Sequence, residues 1–192
     1  FIVESFDGPT PDGKYTLVAK DVLKLVDGDR AMAPAASTGF LVSGITSSAT
    51  SATLSPSGVG NSEYQASGYL ALGGKEIVAF TRSSDTLTIT SRAQLGSGPA
   101  QAFNAQDRVQ TVLKYTSEDV ADIIYDLMVN YADVPAEYIT LSDWQAETAT
   151  FNGRLYSSVI CEPTSVGNLI SELIQQAGLC IWWDDISLKI RL

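Results

Sequence analysis

The side chains able to do chemistry in this 192-residue chain are carboxylates, because histidine is absent and cysteine occurs twice. Without an imidazole, the Ser-His-Asp and Cys-His arrangements are excluded, along with the commonest metal ligand and the usual proton shuttle near neutral pH. Zinc would have to be held by Cys161, Cys180 and carboxylates, and two cysteines at that separation form no recognised ligand pattern. Two carboxylates alone suffice for hydrolysis of a glycosidic bond. The candidates are Glu76, Asp85, Asp107, Glu162, Asp184 and Asp185, and nothing in their spacing pairs any two. Glu76 stands between Lys75 and Ile77 in a strand pattern and is expected to face outward or to pair with Arg92 or Lys75. No catalytic residue, metal ligand or cofactor site is assigned.

Other polar groupings have plainer readings. Glu118, Asp119, Asp122 and Asp126 fall mostly off the apolar face of a helical stretch, as a solvated face does. Asp27-Gly28-Asp29 lacks the further acidic positions and terminal Glu of a calcium loop and reads as a helix-ending turn. Gly58 and Gly60 are not followed by the Lys-Ser/Thr and helix of a phosphate-cradling loop. Cys161 and Cys180 each sit in apolar, strand-like surroundings and are expected to be buried small hydrophobes, with a disulfide between them left open. Trp182 and Trp183 are adjacent in a strand, so their side chains must point to opposite faces. One fits a one-sided core. The other needs a second layer, a partner subunit or a ligand: core packing on both faces is the first reading, a protein interface the second, which makes the pair the candidate interface, and a sugar platform the third.

The composition bounds the classes open to the chain. Hydrophobic residues make up 45% and charged residues 18%, an ordinary balance for a folded protein. The net charge of −10 repels phosphate backbones, so sequence-specific nucleic-acid binding is not expected. No basic cluster suits an anionic membrane, and no apolar run reaches the roughly 18 residues of a span. The opening FIVESF lacks the basic flank of a signal peptide. The chain starts on Phe and closes on an alternating strand without a turn, so a longer protein is expected around it.

Alternation and turn residues supply the elements. The clearest stretch is Gly68 to Tyr115, in which Tyr69, Ala71, Ile77, Ala79, Thr81, Leu87, Ile89, Val109 and Leu113 fall at strand-like intervals. Gly73-Gly74 and Ser83-Ser84-Asp85 separate the runs, so an antiparallel meander is expected whose last strand enters a helix. Upstream, residues 1–7 and 14–19 read as a hairpin, followed by a short helix from Val22 to Val26 behind Asp21. Residues 31–39 read as a linker, 40–45 and 52–54 as short strands, and 55–62 as a long exposed loop. Downstream, Thr116 is expected to cap a helix carrying Val120, Ile123, Ile124, Leu127, Met128 and Tyr131 on one face. Residues 135–143 read as a loop or short helix and 155–161 as a strand. A second amphipathic helix begins after Pro163-Thr164-Ser165 and ends at Gly178. A closing hairpin turns at Asp184-Asp185. The expected architecture is α+β. An antiparallel β-rich domain, a meander or small barrel-like unit, covers 38–112. An α/β domain with two amphipathic helices and the C-terminal hairpin is built from 1–37 with 113–192.

The meander also carries a resemblance. Gly68-Tyr69-Leu70, Glu76-Ile77, Phe80-Thr81, Leu87, Arg92, Gly96-Ser97, Asp107 and Val109 stand in the order of a stretch recurrent in tail-tip and baseplate-hub proteins of tailed bacteriophages. Tyr15 to Leu25, with its Ala19-Lys20-Asp21-Val22-Leu23, is similar to the segment that precedes it in that family. Ala93, Ser97 and Phe103 depart from the family's usual Gly, Thr and His, and the loop before Asp107 is one residue longer. The resemblance implies a structural virion protein: a hub or minor tail protein that forms rings, often trimers, with itself and meets other tail proteins, without catalysis. Its place would be the phage tail, and the host cytoplasm during assembly. Two alternatives stand beside it: a carbohydrate-binding receptor module using the Trp182/Trp183 hairpin or the loop at 55–62, and a carboxylate-based glycosidase.

Overall fold

The computed structural model describes Ile2 to Leu192; Phe1, placed in the first strand by the sequence pattern, lies outside the described residues. The architecture is α+β, and the chain divides into two compact units. One, here the β unit, comprises Ala33–Thr116 and Ser157–Thr164; the other, the α/β unit, comprises Phe1–Met32, Ser117–Tyr156 and Ser165–Leu192. Two-residue strands, β3 (Met32–Ala33) and β11 (Thr164–Ser165), lie at two of the points where the chain passes from one unit to the other.

The β unit is organised by a seven-stranded sheet. Its strands are β4 (Phe40–Leu41), β5 (Ser51–Ser55), β6 (Ser67–Leu72), β7 (Glu76–Ser83), β8 (Thr86–Ser91), β9 (Val109–Asp119) and β10 (Leu155–Ile160), in the spatial order β10-β9-β6-β7-β8-β5-β4. Gly73 and Gly74 both adopt positive φ between β6 and β7, a conformation that side-chain-bearing residues resist, so this turn needs its glycines. Pairs Leu70↔Val78 and Gly68↔Phe80 then set the antiparallel register. The sheet is not a closed barrel. Its β4 end is nevertheless tied back to the residues around the start of β9, through a bridge between Phe40 and Arg108 and N–H donation from Leu41 to Asp107 and from Val109 to Gly39.

The core of this unit collects Leu41, Leu54, Leu70, Leu72, Val78, Phe80, Leu87, Ile89, Phe103 and Val109. In β6 and β7 this is the face opposite to the alternation of Tyr69, Ala71, Ile77, Ala79 and Thr81, of which Ala71 and Ile77 are buried as well, so the sheet is covered in part on both faces. Tyr64 is buried among them and its hydroxyl donates to the Val109 carbonyl at 2.6 Å. Burial pushes its phenol up to about 12.

One segment of the β unit departs from expectation. Residues 55–62 are not an exposed loop, for Val59–Glu63 form a short helix, α1, with Val59 and Gly60 buried. Asp85, in the turn between β7 and β8, accepts the N–H groups of Gly58 (2.7 Å) and Gly60 (2.8 Å). A Cβ on Gly60 would lie 2.0 Å from the Ser84 carbonyl oxygen, so this backbone-to-backbone approach requires glycine. The helix is held from a distance in sequence, which local pattern does not reveal.

The α/β unit opens with the expected hairpin, β1 (Ile2–Asp7) against β2 (Thr16–Lys20), followed by a 3₁₀ turn at Val22–Leu25 that Asp21 caps through the Leu23 N–H. Helix α2 (Val120–Asp126) continues as a π-type turn through Tyr131 and buries Val120, Ile123, Ile124, Leu127 and Met128. Its N-cap is Asp119, whose carboxylate accepts the Ala121 N–H at 2.8 Å, and not Thr116. Strand β9 runs on past Thr116 to Asp119, with Ser117 at positive φ, so the cap moves to the last residue before the helical turn.

A further helix, α3 (Leu141–Phe151), occupies ground read as a loop or short helix up to Asp143 and left unassigned beyond it. Only Trp144 and Thr148 on it are buried, so its apolar stripe is too thin to announce itself. The Trp144 indole N–H donates to the Ile190 carbonyl at 3.1 Å, and Ile139 bridges Ile190 in parallel. Helix α4 (Val166–Ala177) ends at Gly178 in the left-handed conformation, and β12 (Trp182–Asp184) pairs with β13 (Lys189–Arg191) in the closing hairpin. Helix α2 packs on both α3 and α4.

Candidate functional site: the Trp182 cleft

Most of the six candidate carboxylates are engaged by the fold. Glu76 is fully buried, so it does not face outward. Arg92 grips it with two parallel bonds, Nε to Oε1 and Nη2 to Oε2, each 2.8 Å. The N–H groups of Ala93 (3.0 Å) and Gln101 (3.1 Å) donate to the same carboxylate. Arg92 also donates to the Thr46, Ala49 and Gln101 carbonyls, so one ion pair ties β7 to two loops. Burial raises the Glu76 pKa, but the Arg92 fork and the two backbone donors outweigh it and hold the carboxyl below its ordinary value. An alternating pattern cannot tell such an inward carboxylate from a solvated one.

The others hold turns. Asp85 caps α1, and those two backbone bonds lower its pKa. Asp107 accepts the Asn104 N–H at 2.8 Å. Asp184 accepts from the Ser187 hydroxyl (2.6 Å) and the Ile186 N–H (3.0 Å), which lower its pKa and shape the β12–β13 turn. Glu162 and Asp185 are exposed. The cysteines are not the buried pair expected: both are free, Cys180 is exposed, and Cys161 is half-buried, its thiol pushed up by burial. They fall in different units, and the exposure of Cys180 shows that its apolar neighbours in sequence do not bury it.

Trp182 and Trp183 point to opposite faces of the closing hairpin. Trp183 is half-buried, meets Tyr138 edge-on at 5.6 Å, and borders an apolar cleft of about 340 Å³ with Val22, Leu25, Pro135 and Leu188. Its indole nitrogen is buried without a hydrogen-bond partner among the described residues. Trp182 is 49% exposed and lines a second cleft, of about 440 Å³, with Asp143 and Glu147 of α3 and Asp184 and Arg191 of the hairpin. Trp144 forms part of the same wall.

The electrostatics of this second cleft are one-sided. Arg191, the cross-strand neighbour of Trp182, turns its guanidinium to Asp143 at 3.1 Å and Asp184 at 3.6 Å. Glu147 has no ion-pair partner among the described residues. The sequence pattern singled out Trp182 and Asp184 but missed Asp143, Glu147 and Arg191, since two of these sit on the unrecognised helix α3. The spacing of Leu141, Trp144, Thr148 and Phe151, read as a helical stripe, was the available signal. Compared with known protein families, curated proteins and solved structures, the chain finds no match.

Proposed function

We propose that this protein is a structural component of a tailed-phage virion, a tail-tip or baseplate-hub protein that assembles with copies of itself and with other tail proteins. The reading starts from the resemblance carried by residues 15–112. The observation that supports it is what the charged residues of that stretch do. Glu76 and Arg92 form a buried, bidentate pair that fastens two loops to the sheet, and Asp107 closes a turn by accepting the Asn104 N–H. A stretch whose charged residues make such bonds serves shape and register, which is the need of a subunit that must pack reproducibly against its neighbours.

The exposed apolar side chains of the α/β unit add to this. Val3, Phe6, Tyr15 and Leu17 lie more than half exposed on the β1–β2 hairpin, and a two-stranded hairpin alone gains little stability in water. Surfaces of this kind mark protein–protein contacts. The test is the size of the full-length protein in solution by light scattering and electron microscopy. A closed ring of several copies is expected; a strict monomer at high concentration overturns the assignment.

A further inference from the structure

We infer that the Trp182 cleft is a docking site for an arginine side chain presented by a partner polypeptide. The inference stands on the cleft and on charge, independently of the tail assignment. Within the cleft three carboxylates, Asp143, Glu147 and Asp184, face a single cation, Arg191. The unit that holds it is just as lopsided, with 17 Asp and Glu against seven Lys and Arg, a net −10, whereas the β unit has five of each. A cationic guest is drawn to such a site and a phosphate or carboxylate guest is repelled.

The aromatic wall narrows the chemistry. Trp offers the strongest face for a cation, and Arg191, the nearest basic side chain across the strands, is engaged by Asp143 and Asp184. Among the described residues the cation–π contact is Lys114 over Tyr69, in the other unit, so the indole of Trp182 is not filled by the chain's own cation. No three carboxylates or thiols among the described residues are grouped closely enough to hold a metal ion. Spread-out acceptors beside an indole suit a planar, delocalised cation, and guanidinium both stacks on rings and bonds carboxylates in pairs. At about 440 Å³ the cleft exceeds the needs of one side chain and leaves room for the backbone that carries it. A neutral sugar could stack on Trp182 but would leave Glu147 without a counter-charge.

The experiment titrates the chain with the capped peptide Gly-Gly-Arg-Gly-Gly and with the same peptide carrying citrulline, the neutral isostere, in place of arginine. Binding is measured by isothermal titration calorimetry in every variant, and the indole NMR signal of Trp182 locates it in the wild type and in Glu147→Gln. The arginine peptide is expected to bind at least about tenfold more tightly than the citrulline peptide, and more weakly as salt rises from about 0.01 to 0.15 M. Trp182→Ala should weaken it about threefold to thirtyfold. Glu147→Gln, on an exposed helix position that folding does not need, should weaken it about twofold to fivefold. Equal binding of both peptides overturns the proposal, as does the absence of any shift at Trp182, no effect of Glu147→Gln, or tighter binding of a neutral oligosaccharide.

Discussion

The two units handle charge in opposite ways. In the β unit acidic and basic residues balance, and the charged groups at its centre are turned inward to hold backbone: Arg92 and Glu76 on two loops, Asp85 on α1. In the α/β unit the excess of carboxylates lies mostly at the surface, and even the ion pairs there, Lys20 with Glu4 and Arg191 with Asp143, are solvent-exposed. Charge in the first unit builds the fold; charge in the second sets what the surface attracts. Surface pairs contribute little to stability, whereas a buried pair becomes costly once one partner is removed. The units are therefore expected to respond to different perturbations, and the chain carries a means of telling them apart. Trp144, Trp182 and Trp183 all lie in the α/β unit, so tryptophan fluorescence reports that unit alone while far-UV circular dichroism reports both.

The largest effect is expected from Glu76→Ala. It strands the Arg92 guanidinium, whose side chain is 14% exposed, together with two backbone donors. The cost should be about 3–5 kcal/mol, seen as an earlier denaturant transition by circular dichroism with the fluorescence transition in place. Coincident shifts in both probes would mean that the units unfold together, and a loss under about 1 kcal/mol would remove the pair from its central role.

Acid should act in the same direction with a smaller effect. The Glu76 carboxyl is held below its ordinary value in the folded chain, so its contribution is complete above the unfolded value, 4.5, and is lost as pH falls through the folded one. Circular dichroism melts between neutral pH and about pH 3 should show this acid limb in the wild type, and Glu76→Gln should flatten it. An unchanged acid limb in that variant would assign acid sensitivity to other carboxylates.

The smallest effect is expected from salt, and it should appear in the other unit. Raising ionic strength from about 0.01 to 0.15 M shortens the reach of charge repulsion from about 30 to 8 Å. With its net −10, the α/β unit should gain on the order of 1 kcal/mol or less, visible in the fluorescence transition, while the balanced β unit gains nothing. A gain of equal size in both would erase the contrast.

What the sequence disclosed follows the range of the interactions that build each part. The meander was legible because Gly73-Gly74 and the alternation in β6 to β8 are local, and α4 because its apolar face and Gly178 are local too. Helix α1 was not, since it is capped by Asp85 from the far side of two strands. Helix α3 buries only Trp144 and Thr148 and gave a weak stripe. The inward turn of Glu76 depended on Arg92 arriving from another strand end, although Arg92 was named as one of its possible partners. At the cleft, Trp182 was visible as one of two adjacent tryptophans that could not share a face, while the acidic wall opposite it belonged to the helix that went unread.

The path of the chain also orders its synthesis. Residues 33–116 are laid between the first and second contributions to the α/β unit, so a ribosome releases strands β4 to β9 before it has made α2, α3 or the closing hairpin. Within this stretch the β1–β2 hairpin is made before both, with Phe6 and Tyr15 stacked on each other at 5.6 Å. The bond from Trp144 to Ile190, which joins α3 to β13, has to wait until β13 has been made. The β unit in turn is complete only once residues 157–164 have been made, after α2 and α3, so each unit has to wait for chain that follows part of the other.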